Sequence, residues 1–169
     1  MAYYFSYGAN MSKRYLENIR NIRPEASHTG YMINYKLVMN FKGPNFIEPS
    51  FANICFEKGA KVEGVVHELK ETDFTRIVAS EGETYELIEA PASFKNKSVI
   101  AKTLLCNESA TEEIPASRRY MKILIAAAIE NKLSSDYVEF LKSKKSVYYP
   151  VLSEIFAIRL YFWVRSRAK

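Results

Sequence analysis

Residues 3–12 read Tyr3-Tyr4-Phe5-Ser6-Tyr7-Gly8-Ala9-Asn10-Met11-Ser12. Aromatic, strand-favouring residues lead into Gly8, and Ser12 precedes residues 13–20, which favour a helix. This order predicts a first strand, a tight loop and a helix N-terminus. Unpaired backbone N–H groups at such a junction can bind a carboxylate or a developing oxyanion. An ordinary glycine turn before a capped helix explains the same pattern, so both interpretations stay open.

The composition is typical of one globular domain. The chain has 169 residues, of which 48% are hydrophobic and 14% aromatic, enough for a sizeable core. Cys55 and Cys106 lie in unrelated segments, and the two histidines, His28 and His67, are not spaced to complete a zinc site with them. We therefore expect no metal, no disulfide framework and a reducing, cytoplasmic compartment. No basic segment followed by an apolar core begins the sequence, so we expect no secretory signal.

The positive charge is concentrated at the C-terminus. The formal net charge is +5, yet residues 1–141 are close to neutral, whereas residues 142–169 hold seven Lys or Arg and a single acidic residue, Glu154. A near-neutral body argues against nucleic-acid binding, so we expect no nucleic-acid partner.

Strand-favouring segments cluster between residues 30 and 106, without helices alternating regularly between them. This clustering predicts an α+β fold, with a small mixed or antiparallel β-barrel and flanking helices, rather than a doubly wound parallel sheet. A turn at residues 58–60 is expected to join two strands as a hairpin, and Gly64 indicates a bulge or a close backbone approach. The predicted strands are 31–41, 51–56, 62–69, 85–90 and 98–106, and the later predicted helices are 73–79, 115–131 and 134–141.

Glu81 is the candidate for acid–base chemistry. It follows the predicted helix 73–79, and Gly82 occupies the position of a C-terminal cap. The negative end of the helix dipole disfavours the ionised form of a carboxylate placed there, which suits proton transfer. A solvated loop glutamate is the alternative interpretation. The sequence has no Gly-x-Ser-x-Gly elbow and no glycine-rich phosphate loop, so proton transfer is the remaining class of chemistry.

Three segments, in order, resemble the γ-glutamylcyclotransferase family. Residues 4–11 resemble its Tyr-Phe-Ala-Tyr-Gly-Ser-Asn-Leu/Met signature. Residues 64–85 resemble its Gly-Val-Val strand, short helix, catalytic Glu-Gly and following Tyr. Residues 115–137 resemble its Pro-Ser-x-x-Tyr helix and the helix that follows. The resemblance implies a six-stranded barrel and a reaction in which the α-amine of a γ-glutamyl substrate attacks its own γ-carbonyl, releasing 5-oxoproline and the free amine.

The resemblance also assigns roles to residues. Glu81 would be the general base and then the general acid. Four loop residues would bind the substrate through backbone N–H groups, and Tyr120 would place its hydroxyl against the carbonyl. The expected partner is a small-molecule γ-glutamyl substrate, and no cofactor is implied. The loop residues are Tyr7, Gly8, Ala9 and Asn10.

Ala9 departs from the family, which usually has serine there, so any contact at this position must come from the backbone. Two alternatives stay open: a cyclotransferase that removes a γ-glutamyl protecting group in aminoglycoside biosynthesis, and a non-catalytic binding module on the same fold.

The C-terminal extension lies outside the resemblance. We predict a cyclotransferase-like domain at residues 1–145 and a basic, aromatic helical extension at residues 146–169. The extension is expected to form an amphipathic helix that docks on the domain, or on a second copy of the chain in a homodimer. Contact with an anionic membrane surface is the lesser alternative.

Overall fold

The structure, a computed structural model, describes residues 1–43, 47–81, 84–107 and 109–149, together with residues 155, 158, 159, 162, 163 and 166. Its strands and helices follow the chain as β1 (Ala2–Ser6), a 3-10 helix (Ala9–Met11), α1 (Lys13–Asn18), β2 (Ala26–Lys42), β3 (Ser50–Leu69), α2 (Glu71–Glu81), β4 (Tyr85–Phe94), β5 (Lys97–Cys106), β6 (Ala116–Ser117), α3 (Arg118–Glu130), α4 (Ser135–Ser143) and β7 (Ser146–Val147).

Five of these strands form a closed barrel in the order β1-β3-β2-β4-β5. β1 is antiparallel to β3 and closes the barrel by pairing in parallel with β5, where Tyr4 lies opposite Lys102. The predicted mixed barrel with flanking helices is therefore confirmed. The resemblance implied six barrel strands, whereas the described residues form five, because two predicted strands are one continuous strand.

That continuous strand is β3, which pairs with β2 from Ala26 opposite Glu68 to Lys42 opposite Ser50. The predicted hairpin turn at residues 58–60 is wrong. The chain bulges there without reversing, and the pairing register shifts between Ile33 and Tyr35. The side chain of Asn34 accepts a hydrogen bond from the Gly59 N–H at 2.9 Å, which satisfies a donor that the ladder leaves unpaired. Gly59 adopts φ +83°, a conformation that glycine tolerates.

Gly64 is a point of close backbone approach, as predicted. A Cβ at this position would lie 2.3 Å from the Ser6 carbonyl oxygen and 2.8 Å from the Phe5 ring. Only glycine therefore lets β1 and β3 come this close. The approach sets the position of the loop that follows β1.

Serine caps begin three helices, and the sequence predicts the first of them, at Ser12. The side chains of Ser12, Ser117 and Ser134 accept hydrogen bonds from the backbone N–H three residues later, at the starts of α1, α3 and α4. Helix α2 is longer than predicted. It runs from Glu71 to Glu81, so Glu81 is its last residue rather than a residue beyond it. The predicted cap, Gly82, lies outside the described residues.

Two apolar clusters hold these elements together. The larger fills the barrel and extends under α3 and α4, and it includes Phe5, Met32 and Leu124. The smaller packs α1 and α2 on the outside of β1, with Leu16 and Ile77 fully buried. The smaller cluster brings the C-terminal end of α2 beside the loop after β1. Among the described residues, no helix is both long and apolar enough to cross a membrane.

Candidate active site

The loop after β1 forms a short 3-10 helix before α1 begins. The N–H of Met11 donates to the Gly8 carbonyl at 3.0 Å, and the N–H of Ser12 donates to the Ala9 carbonyl at 3.1 Å. Within the described residues, the N–H groups of Ala9 and Asn10 donate no hydrogen bond, as expected for the first turn of a helix. The predicted strand, loop and helix start are therefore present, with two backbone donors left over.

Glu81 lies beside this loop and is held by two side chains. The Asn10 amide donates to Glu81 Oε1 at 3.0 Å, and the Arg20 guanidinium donates to the same oxygen. No hydrogen bond reaches Oε2 within the described residues. The Glu81 side chain is 19% exposed, so it is a partly buried carboxylate rather than a solvated one. Oε1 is thus held in place by two donors, whereas Oε2 has no donor among the described residues.

Arg20 is the centre of this polar cluster, and sequence reasoning missed it. Its side chain is 4% exposed, and it donates to Asn10 Oδ1 at 2.7 Å as well as to Ser80 and Glu81. Burial acts to lower the pKa of Arg20, but the neighbouring Glu81 carboxylate raises it above its usual value. The guanidinium therefore stays charged. Nothing in the sequence distinguishes Arg20 from the neighbouring Arg14 and Arg23, because its partners are distant in the chain.

Buried tyrosines surround the cluster. The Tyr4 hydroxyl accepts from the Asn10 amide at 2.9 Å, and the Tyr120 hydroxyl accepts from the Ala52 N–H at 3.2 Å. Burial raises the pKa of both phenols, so both keep their protons at neutral pH. The hydroxyl of Tyr7 donates its proton to the Leu104 carbonyl, so this proton is used within the protein.

Tyr120 also lies close to Gly8. A Cβ at Gly8 would lie 3.3 Å from the Tyr120 hydroxyl oxygen, so the loop and this hydroxyl border the same space. Because the Tyr120 oxygen already accepts a bond from Ala52, its own proton can be donated to a ligand.

His67 supports the loop from behind. Its Nε2 lies 3.0 Å from both the Asn10 carbonyl oxygen and Ser6 Oγ, and its Nδ1 lies 2.8 Å from Ser27 Oγ. Burial lowers the pKa of His67 to about 4, so the ring is neutral at pH 7. This role of His67 is not predictable from the neighbouring sequence, because its partners come from distant segments.

All six predicted site residues line one cavity of about 910 Å³: Tyr7, Gly8, Ala9, Asn10, Glu81 and Tyr120. Arg119, whose guanidinium donates to the buried Glu48, also lines it. The structure brings the predicted residues together, and their chemical roles stay predictions. Among the described residues, no group of three or more His, Cys, Asp or Glu side chains is placed to hold a metal ion.

Three residues of the C-terminal extension line the same cavity: Ile155, Arg159 and Trp163. They are helical and four residues apart, so they lie on one face of a helix. Nearer the domain, the Arg118 guanidinium lies 5.1 Å from the centre of the Tyr148 ring. Docking on the domain fits these contacts, whereas a homodimer and membrane contact stay predictions.

Comparisons with known proteins show what the chain is similar to. Residues 61–141 match the model of the AIG2-like family. The chain is 25% identical over 168 residues to the γ-glutamyl cyclotransferase gliK of Aspergillus fumigatus, covering 83% of this chain and 61% of the relative. It is 24% identical over 173 residues to the γ-glutamyl cyclotransferase aclK of Aspergillus oryzae, covering 89% and 63%. The chain thus spans about three fifths of the length of these curated relatives.

Solved structures show the same fold. A structure described as a γ-glutamyl cyclotransferase superimposes with a TM-score of 0.78 at 22% identity, covering 94% of this chain and 97% of the other. An uncharacterized human protein superimposes with a TM-score of 0.78 at 23% identity over the same shares. The predicted resemblance is therefore confirmed in sequence and in fold: the chain matches the AIG2-like family over residues 61–141 and is similar to γ-glutamyl cyclotransferases.

Proposed function

We propose that this chain is a γ-glutamyl cyclotransferase that releases 5-oxoproline and a free amine. The α-amine nitrogen of the substrate attacks its own γ-carbonyl carbon, and a C–N bond forms to close the five-membered lactam. The C–N bond to the leaving amine then breaks. The attacking nitrogen starts as an ammonium group and keeps one proton in the lactam, so two protons leave it. The departing nitrogen gains two protons and leaves as an ammonium ion, so the reaction consumes no water and needs no redox partner.

The observation that supports this proposal most is the position of Glu81. Its Oε1 accepts from Asn10 and Arg20, and no group of the described residues donates to Oε2. The same cavity is lined by Ala9 and Asn10, whose N–H groups donate to no acceptor among the described residues. A site that only binds carboxylates gains nothing from a second carboxylate beside its donors, since like charges repel. The arrangement suits a base that takes a proton from the α-ammonium group through Oε2 and returns it to the leaving nitrogen.

The loop and Tyr120 would supply the remaining functions. Backbone N–H groups of residues 8–10 can bind the glutamyl carboxylate and so orient the amine toward its own carbonyl. The Tyr120 hydroxyl can donate to the γ-carbonyl oxygen as negative charge develops on it. Arg20 contacts Glu81 and Asn10 together, so it fixes the base relative to the loop. Ala9 contributes only its backbone, because its methyl group packs against the core.

The direct test is release of 5-oxoproline from γ-glutamyl-alanine by the parent chain and by Glu81→Gln. We expect activity in the parent and a loss of at least about 100-fold in the variant, the usual contribution of a positioned acid–base group. Glu89→Gln is the matched control, because Glu89 is an exposed carboxylate on the following strand. Full activity in a folded Glu81→Gln would exclude the mechanism.

The alternatives make different predictions in the same assay. A binding module would release no 5-oxoproline from any γ-glutamyl compound, yet it would still bind them. A deprotecting cyclotransferase would act on γ-glutamyl aminoglycosides in preference to dipeptides. A substrate panel that contains both classes therefore separates these functions.

A further inference from the structure

The cavity is larger than a γ-glutamyl group requires. Its volume of about 910 Å³ lies near the top of the range of roughly 300–1,000 Å³ that is typical of sites for drug-sized ligands. A γ-glutamyl group has the size of a single amino acid. If this group binds beside Asn10, Arg20 and Glu81, most of the cavity volume is left for the leaving amine.

Four aromatic residues of the lining form a continuous surface, although Lys42, Thr84 and Arg119 line the cavity as well. The Phe41 ring lies 4.8 Å from Tyr85 and 5.8 Å from Phe51, and Phe51 lies edge-on to Tyr120 at 5.2 Å. This chain of rings begins at Tyr120, beside the loop, and forms an aromatic wall of Tyr120, Phe51, Phe41 and Tyr85. Contact between such a wall and another aromatic or apolar group is energetically favourable.

The C-terminal extension adds a second apolar surface to the cavity. Trp163 and Ile155 line it from the extension, with Arg159 between them on the same helix face. A guanidinium stacks favourably on aromatic rings, and tryptophan offers the largest aromatic contact area. Apart from Arg159, the side chains that the extension contributes to the described lining are apolar or aromatic.

We infer that the preferred substrate carries an aromatic group on its leaving amine, bound between the aromatic wall and Trp163 of the extension. The inference rests on the proposed function for the reaction itself, but the binding preference can be measured separately. It makes Trp163 a specificity-determining residue and gives the extension a role in substrate selection.

The test compares γ-glutamyl-phenylalanine with γ-glutamyl-alanine as substrates of the full chain. We expect kcat/KM to favour the phenylalanine compound by roughly tenfold or more, in line with the discrimination that apolar pockets achieve. Trp163→Ala should reduce this ratio several-fold. Phe162→Ala is the matched control: it removes an exposed aromatic side chain from the same helix, outside the cavity lining, and should leave the ratio unchanged.

A binding measurement keeps the two proposals distinguishable. Calorimetry with Glu81→Gln measures the affinity for both dipeptides without turnover. If neither dipeptide yields 5-oxoproline but the phenylalanine compound binds tighter in a Trp163-dependent way, the proposed function fails and the inference stands. Equal kcat/KM and equal affinity for the two compounds would overturn the inference. So would an equal effect of Trp163→Ala and Phe162→Ala on the ratio.

Discussion

Replacing Arg20 by methionine should destabilise the protein strongly, because three partners depend on this one guanidinium. The substitution leaves Asn10 Oδ1 and Ser80 Oγ without their donor and Glu81 without its counter-ion. Removing one partner of a buried ion pair costs about 3–5 kcal/mol. Glu81 is 19% exposed, so water compensates in part, and we expect the lower end, about 3 kcal/mol.

Thermal unfolding followed by circular dichroism measures this effect. For a chain of this size, each kcal/mol shifts Tm by about 2–4 °C, so Arg20→Met should lower Tm by about 6–12 °C. Arg23→Met is the matched control. Arg23 is 84% exposed and lies 3.4 Å from Glu17, so its loss should cost no more than about 0.5 kcal/mol.

A double-mutant cycle isolates the pair itself. Adding Glu81→Gln to Arg20→Met removes the uncompensated charge, so the two effects should be non-additive by about 1–3 kcal/mol. Strict additivity, or a Tm for Arg20→Met equal to that of Arg23→Met, would refute the argument that Arg20 holds Glu81 in place.

Three further predictions concern the residues around the site. Burial lowers the pKa of His67 to about 4, so the unfolded chain binds a proton more readily than the folded chain. The free energy of unfolding should therefore fall by about 3 kcal/mol as pH decreases from 6.5 to 4. Urea titrations across that range should show that His67→Gln lacks this pH dependence. Gly64→Ala should prevent folding or lower the free energy of unfolding by more than about 3 kcal/mol, because its Cβ meets the Ser6 carbonyl. Gly59→Ala should lower it by about 1 kcal/mol, because only the positive φ is strained. Similar unfolding midpoints for the two variants would contradict this. Tyr120→Phe should lower kcat/KM for 5-oxoproline release by about 10–100-fold. Loss of the hydrogen bond from the Ala52 N–H should lower the free energy of unfolding by about 1 kcal/mol. Unchanged kinetics would show that Tyr120 takes no part in the mechanism.

Local sequence signals predicted much of the fold. The Ser12 cap marks the start of α1. In the turn between β4 and β5, Lys95 and Asn96 have φ of 46° and 60°, and asparagine is a residue that tolerates positive φ. Glycine at position 59 suits both a hairpin turn and a β-bulge, so local sequence alone predicts the wrong one here. What decides between them is a hydrogen bond from Gly59 to Asn34 on the neighbouring strand, which a local reading does not reveal.

The candidate site divides in the same way. Glu81 and the loop residues belong to motifs of consecutive residues, so the sequence could nominate them. Most partners of Arg20 and His67 lie dozens of positions away, and the sequence contexts of the two residues resemble those of ordinary surface arginines and strand histidines. Trp163 was part of an extension predicted to dock on the domain, but only the fold places it at the cavity.

Product analysis tests the central claim most directly. The parent chain and Glu81→Gln are incubated with γ-glutamyl-phenylalanine and γ-glutamyl-alanine, and 5-oxoproline, glutamate and the free amine are quantified by mass spectrometry. Intramolecular aminolysis predicts equal amounts of 5-oxoproline and free amine from the parent, no glutamate, and almost no product from Glu81→Gln. Glutamate in place of 5-oxoproline would mean hydrolysis by water, and undiminished 5-oxoproline from Glu81→Gln would contradict the role of Glu81.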